Sequence, residues 1–242
     1  MIIESKDNKK IKYINKLKNN KFMNEERKFL IEGEHLVKEA SDAGILLETY
    51  SVCDVNYGVL NNLVNENIMK HISNLPSFSN VIGVCKFIED NDNIGNKIII
   101  LDNVQDPGNL GTIIRSSKAF GIDTIVLSKT SVNKYNEKVI RATQGMLFKT
   151  NVIVKDLVSF IPELLEEGYM VYGTNVINGT DIRNVEKKNK IAVIMGNEGT
   201  GISNEVNELL SENIYINIDK NCESLNVAVA ASIIMYELSK GE

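Results

Sequence analysis

Apolar strands alternating with helical stretches predict an α/β protein. Its larger part should be a mostly parallel sheet covered by helices on both sides. Two continuous apolar runs carry this reading. Lys97-Ile98-Ile99-Ile100-Leu101-Asp102 and Ile191-Ala192-Val193-Ile194-Met195 have the composition of strands buried on both faces. A third observation divides the chain. Glu89-Asp90-Asn91-Asp92-Asn93-Ile94-Gly95-Asn96 is polar, acidic and Gly-containing, which reads as a linker over 91–96. A small alternating α/β unit at 1–90 then precedes the larger unit at 97–242.

In the first unit, Lys9 to Leu17 reads as a basic amphipathic helix and Phe29-Leu30-Ile31 as a short strand. A helix follows from Glu32 to Ala43, stopped by Gly44. Leu46 to Val52 reads as a strand, Asn56 to Val64 as a helix, Ile68 to Ile72 as a strand, and Asn80 to Cys85 as the closing strand. The second unit opens with the strand at 97–102, followed by a helix from Gly111 to Phe120. Thr124 to Leu127 is a strand, Lys134 to Arg141 a helix, Asn151 to Val154 a strand, and Leu157 to Glu167 a helix ended by Gly168. Met170 to Gly173, Ile191 to Met195 and Ile214 to Ile216 are strands, and Leu225 to Leu238 is a long apolar helix. No internal repeat is visible.

The composition excludes several classes. With 242 residues, 43% hydrophobic and 24% charged, the chain is ordinary globular material rather than low-complexity or disordered. No apolar run approaches the roughly 20 residues of a membrane span, and Met1 to Asp7 holds no signal-peptide core. Cys53, Cys85 and Cys222 are odd in number and form no CxxC pair, which argues against a disulfide framework or a zinc site and fits a reducing cytoplasm. The net charge of −5 is uneven. Residues 1–30 carry nine Lys/Arg against four Asp/Glu, a local +5, whereas the rest carries 18 basic and 28 acidic residues, −10. An acidic protein with a basic arm can bind nucleic acid, because phosphate contacts depend on local charge; on charge alone, a solvated helix face is the favoured reading of the arm.

Three loops that follow buried strands carry the chemical signal, since parallel sheets place ligands there. The first runs from Asp102 to Arg115 and includes the turn Asp106-Pro107-Gly108-Asn109. The second is Gly196-Asn197-Glu198-Gly199-Thr200-Gly201, whose glycines allow close backbone approach to a ligand; it is neither a Walker A loop nor GxGxxG. The third leads from Ile216 to Ser224-Leu225-Asn226-Val227-Ala228, where Ser224 is a candidate cap and Asn226 falls in the first turn of the last helix.

In this order and at these spacings, Asn109-x5-Arg115, Gly196-Asn197-Glu198-Gly199-x-Gly201 and Ser224-Leu225-Asn226-Val227-Ala228-Val229-Ala230 resemble the three motifs of the SpoU (TrmH-like) family of SPOUT RNA 2′-O-ribose methyltransferases. The resemblance spans about 97–242. Val139-Ile140-Arg141-Ala142-Thr143-Gln144-Gly145 is similar to a further family segment, departing after Phe148. The first unit resembles the L30e-like RNA-binding domain attached to many rRNA methyltransferases. The resemblance implies a C-terminal trefoil knot, S-adenosyl-L-methionine as cofactor and a homodimer sharing its site. It implies contact of Gly196, Ile216, Leu225 and Thr174 with the cofactor, and catalytic positions at Arg115, Asn109, Glu198, Ser224 and Asn226. The basic arm offers Lys9, Lys10 and Lys12 as RNA contacts, Arg141 reads equally as an RNA contact or a helix-end salt bridge, and no metal is expected.

The chemistry suits these residue types. A ribose hydroxyl is a weak nucleophile, so alignment and electrostatics must do the protein's share. The family assigns its arginine as general base, but a guanidinium is a donor without acceptor capacity. Arg115 is therefore read as orienter and electrostatic stabiliser. Asn109 is read as positioning Arg115 or the ribose, and Glu198 as holding its own loop or a partner side chain. Ser224 and Asn226 order the cofactor loop and the target nucleotide. His35 and His71 read as structural or surface histidines, Cys222 as small and buried. The expected reaction is methylation of structured RNA, with large-subunit rRNA ahead of tRNA. A catalytically silent ribosome-assembly factor and a nucleotide-binding enzyme are the rivals; the latter lacks its phosphate loop.

Overall fold

The computed structural model describes residues 2–75, 77, 79–91, 93–175, 179–186, 188–210 and 212–239. The chain divides into two compact units, Met1–Glu89 and Asp90–Glu242.

The first unit runs α1 (Lys9–Leu17), α2 (Asn20–Glu26), β1 (Lys28–Glu32), α3 (Glu34–Asp42), β2 (Leu46–Ser51), β3 (Leu60–Leu63), α4 (Glu66–Ile72) and β4 (Val81–Lys86). Its sheet has the order β1-β4-β2-β3, with β4 antiparallel to both neighbours and β2 parallel to β3. Asn8 starts α1 by accepting from Lys10 N, and the helix buries Ile11, Ile14 and Leu17. These pack with Tyr50, Ile68, Met69, Ile72 and Ile82 into one apolar cluster.

Two expected elements here are exchanged. Residues 60–63 form a strand, not part of a helix at 56–64, because they pair in register with β2, Glu48 opposite Leu60. Residues 68–72 are helical, not a strand. Asn65 accepts from Ile68 N as an N-cap, Glu66 stands in the first turn, and Ile68, Met69 and Ile72 share one buried face. Helix α2, capped by Asn19, is an addition to the sequence reading.

The second unit contains β5 (Lys97–Leu101), α5 (Pro107–Ala119), β6 (Thr124–Ser128), α6 (Glu137–Thr143), β7 (Asn151–Lys155), α7 (Leu157–Glu166), β8 (Met170–Thr174), β9 (Gly179–Asp181), β10 (Ile191–Met195), α8 (Asn204–Asn207), β11 (Glu212–Tyr215) and α9 (Val227–Ser239). Seven strands in the order β7-β6-β5-β10-β8-β11-β9 all pair in parallel. Residues 191–195 are buried throughout, as the apolar run requires. β6 and β7 extend the sheet on one side of β5, and β10 flanks it on the other. The connections thus reverse direction between β5 and β10, where open parallel sheets hold a ligand crevice.

Local chemistry fixes the details. α5 starts four residues before the expected Gly111: Asp106 accepts from Asn109 N at 2.8 Å and Pro107 occupies the first helical position. Gly111 lets α6 approach, since a Cβ there would stand 2.3 Å from Ala142 Cβ. The stretch expected as a linker is tied down within this unit. Asn96 N and Lys97 N donate to Asp123 Oδ2, and Asn151 Nδ2 donates to the Asn91 carbonyl; Asp92 lies outside the described residues. At the sheet edge, the guanidinium and backbone N–H of Arg183 hold the Asp181 carboxyl down at about 2. Among the described residues no helix is long and apolar enough to cross a membrane.

Candidate active site

The loops after β5, β10 and β11 meet at the carboxyl edge of the parallel sheet. The first two are stitched to each other. Asp102, buried at the end of β5, accepts from Ser203 N at 2.7 Å. Asn197 Nδ2 donates to the Asn103 carbonyl at 2.8 Å, and its Oδ1 accepts from Gly199 N and Thr200 N. Asn103 takes a left-handed conformation, φ 58°, with its N–H on Ser128 Oγ. The second loop folds back on itself through a pair of backbone hydrogen bonds between Asn197 and Gly201. Gly196 permits this: a Cβ there would lie 2.2 Å from the Gly201 carbonyl carbon.

One hydrogen-bonded chain joins all three loops. Asn226 Nδ2 donates to Asn109 Oδ1 at 3.0 Å, and Asn109 Nδ2 donates to Glu198 Oε1 at 2.9 Å. Asn226 itself is the N-cap of α9, with Oδ1 accepting from Ala228 N at 2.9 Å and Val229 N at 3.3 Å. This corrects the expectation that Ser224 caps α9 and that Asn226 lies inside its first turn. A second correction concerns Cys222, which is exposed, not buried; its thiol faces the Ser224 carbonyl at 3.3 Å.

A cavity of about 510 Å³ lies among the ends of β8, β10 and β11 and the loops that follow them, within the usual small-molecule range of roughly 300–1,000 Å³. Thr174, Gly196, Ile216 and Leu225 line it, as do Glu198, Ser224 and Asn226. Thr174 is fixed by its hydroxyl, which donates to the Ile194 carbonyl at 2.9 Å. Sequence reasoning missed Asp102 and Asn197, which lock the loops, and Asn175 and Glu223, which also line the cavity. Asp102 closes the apolar run of β5, and Asn197 stands inside the glycine-rich loop already singled out; Asn175 and Glu223 had no distinguishing local pattern.

The remaining candidates are placed differently. Arg115 stands exposed on α5, without a hydrogen bond or ion pair among the described residues. Both polar ends of Asn109 are used by Glu198 and Asn226, so Asn109 does not hold Arg115. Arg141 faces Glu137 across one helical turn at 3.8 Å. Lys9, Lys10 and Lys12 belong to α1 of the first unit. There Lys10 Nζ donates to Asn62 at 2.6 Å and Lys12 pairs with Asp7 at 2.7 Å. His71 bonds Asn15 on the surface, and His35 is exposed.

The cavity's chemistry tests the expected cofactor. Its walls combine apolar side chains such as Met195, Ile218 and Ile234 with the carboxylates of Glu198 and Glu223. No Lys or Arg lines it among the described residues. That set disfavours a polyphosphate, which needs cationic or clustered N–H donors. It fits a nucleoside carrying a positive sulfonium.

A parallel sheet with its cavity at the carboxyl ends of β8, β10 and β11, a glycine-built loop and partly apolar walls carrying two carboxylates define a class: enzymes that bind S-adenosyl-L-methionine between loops at a sheet edge. Residues 96–236 match the SpoU rRNA Methylase family, and residues 8–83 match the MRM3-like substrate binding domain. The chain belongs to the SpoU rRNA methylase family. It is 37% identical to the 23S rRNA (guanosine(2553)-2′-O)-methyltransferase RlmP of Bacillus subtilis (strain 168), over 98% of both chains. A crystal structure of an rRNA methyltransferase from Sinorhizobium meliloti superposes with a TM-score of 0.88 at 28% identity, covering 98% of this chain and 96% of that one. The AdoMet-bound structure of an rRNA methyltransferase from the same organism gives 0.88 at 27%, covering 98% and 97%.

Proposed function

We propose that this chain methylates a ribose 2′-hydroxyl of large-subunit rRNA with S-adenosyl-L-methionine as methyl donor. The observation that carries this is the Asn226–Asn109–Glu198 chain, which brings one residue of each expected motif to the mouth of a cavity suited to the cofactor. The full-length identity to a 23S rRNA methyltransferase supports the choice of RNA.

S-adenosyl-L-methionine, when bound, supplies an activated sulfonium methyl. The chain's own residues do the rest. Thr174, Gly196, Ile216 and Leu225 hold the cofactor, largely by backbone, and the Glu198 and Glu223 carboxylates favour its positive charge. Arg115, with no internal partner, is available to grip a phosphate through its fork and to stabilise charge developing on the 2′-oxygen. Ser224 and Asn226 order the third loop beside the target nucleotide. The first unit serves as an L30e-like RNA-binding domain over 1–90, with 97–242 as the methyltransferase unit. Lys9, Lys10, Lys12 and, in the second unit, Arg141 meet phosphates. Because Lys10 is tethered to Asn62 and Lys12 to Asp7, Lys9 is the readiest of the three lysines. The enzyme works as a cytoplasmic homodimer, and the loops around α9 tie into a trefoil knot. No metal takes part.

Transfer of labelled methyl to rRNA and tRNA fractions from cells lacking the protein, followed by nucleoside analysis, tests this reading. The expected product is a 2′-O-methyl nucleoside confined to large-subunit rRNA. Label confined to tRNA would replace the substrate, and a chain that binds no cofactor would be a silent RNA-binding protein.

A further inference from the structure

We propose that Tyr13 and Phe22 of the first unit form a stacking platform for an unpaired base of the RNA, with Lys9 and Lys16 on the phosphates that flank it. This rests on the methyltransferase reading above and deepens it by naming the RNA feature that the first unit selects: a base splayed out of its helix, not a continuous duplex.

The periodicity of α1 separates two faces. Ile11, Ile14 and Leu17 are buried on one, and Lys10 reaches Asn62. Lys9, Lys12, Tyr13 and Lys16, spaced i, i+3, i+4 and i+7, share the other. The three lysines are exposed and the tyrosine is half-buried. A solvated basic stripe has no use for a ring at its centre, so the ring is the feature that needs a reason.

That ring is held in place. Tyr13 Oη donates to Glu26 Oε2 at 2.8 Å and accepts from Lys28 Nζ at 3.0 Å. Phe22, carried by α2 and also half-buried, meets it edge-on, with centroids 5.8 Å apart and ring planes at 77°. Lys16 Nζ stands 5.9 Å from the Phe22 centroid. The acidic groups nearby are offset: Glu26 has Lys28 at 3.8 Å, and Asp7 has Lys12 at 2.7 Å. Lys9 and Lys16 have no carboxylate partner among the described residues. The face thus sets two fixed rings beside two ammonium groups whose charge is not neutralised.

RNA answers both features at once. Its phosphates take the ammonium groups, and an unstacked base offers a π-face to an aromatic ring. A duplex meets only the lysines, because its bases stay stacked inside. An acidic peptide likewise satisfies the lysines and leaves the rings without a role. The hydrogen bonds that fix Tyr13 serve this function, since a ring ordered before binding loses little freedom when a base stacks on it.

Affinity of the full-length chain for a fluorescein-labelled single-stranded RNA oligomer, measured across a salt series, tests the proposal. Phe22→Leu keeps an apolar side chain and removes the ring. Affinity should fall roughly 5–150-fold, the range for one stacked base, with the slope of log affinity against log salt unchanged. Phe22→Tyr should restore the affinity. Lys16→Ala should instead reduce the slope by about 0.7, the value for one phosphate contact on a single strand. A duplex of the same sequence should bind more weakly and respond to Lys16→Ala but not to Phe22→Leu. The proposal is overturned if Phe22→Leu binds like wild type, or if it lowers the salt slope, as a ring that merely holds the lysines in place requires. Equal affinity for the duplex, or for polyglutamate, overturns it too, and makes the face a plain phosphate stripe or an acidic-peptide site. Each of these outcomes leaves the methyltransferase reading standing; a wild type that binds no S-adenosyl-L-methionine overturns that reading itself.

Discussion

The two units put polar side chains to different uses. In the second, the hydrogen bonds that shape the site join residues far apart in the chain: Asn109 to Glu198, Asn226 to Asn109, Asn197 to Asn103 and Ser203 to Asp102. In the first, two lysines of the basic arm are held, Lys12 to Asp7 and Lys10 to Asn62, while Lys9 has no partner among the described residues. A catalytic site needs groups held in one geometry, which only a closed set of tertiary contacts enforces. A backbone-reading surface needs charge at adjustable positions, because phosphate contacts carry no sequence information. Substitutions should therefore act steeply and separately on chemistry in the second unit, and gradually on RNA affinity in the first.

The largest expected effect is at Arg115. Arg115→Ala should lower methyl transfer by about 10³-fold, at the upper end for one oxyanion-type donor. Cofactor affinity, measured by calorimetry, should remain within a few-fold, because Arg115 is not among the cavity's lining residues. Equal turnover by wild type and variant would remove Arg115 from the mechanism. Next is Gly196→Ala. Its Cβ meets backbone, not a movable side chain, so the Asn197–Gly201 closure must open. Overpacking of this kind costs roughly 1–3 kcal/mol, and the loss should appear as cofactor affinity weakened about 10–100-fold. Unchanged affinity would separate the loop closure from cofactor binding.

Removing residues 1–90 should weaken RNA binding more than cofactor binding, and unchanged RNA affinity would end the role given to the first unit. Within that unit, Lys9→Ala should reduce the slope of log affinity against log salt by about 1, the signature of one lost phosphate contact. Lys12→Ala should change it less, since Asp7 already neutralises that ammonium.

The same contrast explains what was legible in the sequence. The parallel sheet was readable from its buried apolar runs, and the site's three loops from glycine and turn chemistry. The cap of α9 was not. Ser224 and Asn226 are both competent caps, and the choice falls to Asn226, the residue whose amide also meets Asn109, 117 positions away. Residues 56–72 failed for another reason. Their strand is short, and its conformation comes from pairing with β2 on one side and with Ile3 on the other. The helix signal at 66–72 is confined to the cap Asn65 and the first-turn Glu66, beside an apolar run short enough to read as a strand. Hydrogen bonds spanning about 90–120 positions leave no local periodicity to read.

The smallest effect concerns pH and separates the units by their buried acids. Burial pushes the Cys85 thiol, in β4, well above its ordinary value of 9.0. The folded first unit therefore keeps a proton that the unfolded chain releases above about pH 9. Stability from this group is level below that pH and declines above it, by at most about 1.4 kcal/mol per pH unit. Burial raises the Tyr169 and Tyr172 phenols of the second unit in the same direction, but from 10.0, so its decline should begin about one unit later. Asp181 acts at the other end. Its carboxyl is held at about 2 by Arg183 against 3.8 unfolded, so its contribution is present above about pH 4 and is lost as pH falls toward 2. Hydrogen exchange of the β4 and β10 amides between pH 7 and 10 reads the two units separately. Protection of β4 should weaken first, and Cys85→Ala, though less stable at pH 7 for lack of a buried side chain, should flatten that loss. Parallel decline of both strands, unaltered by Cys85→Ala, would show that the thiol does not set the alkaline limit of the first unit.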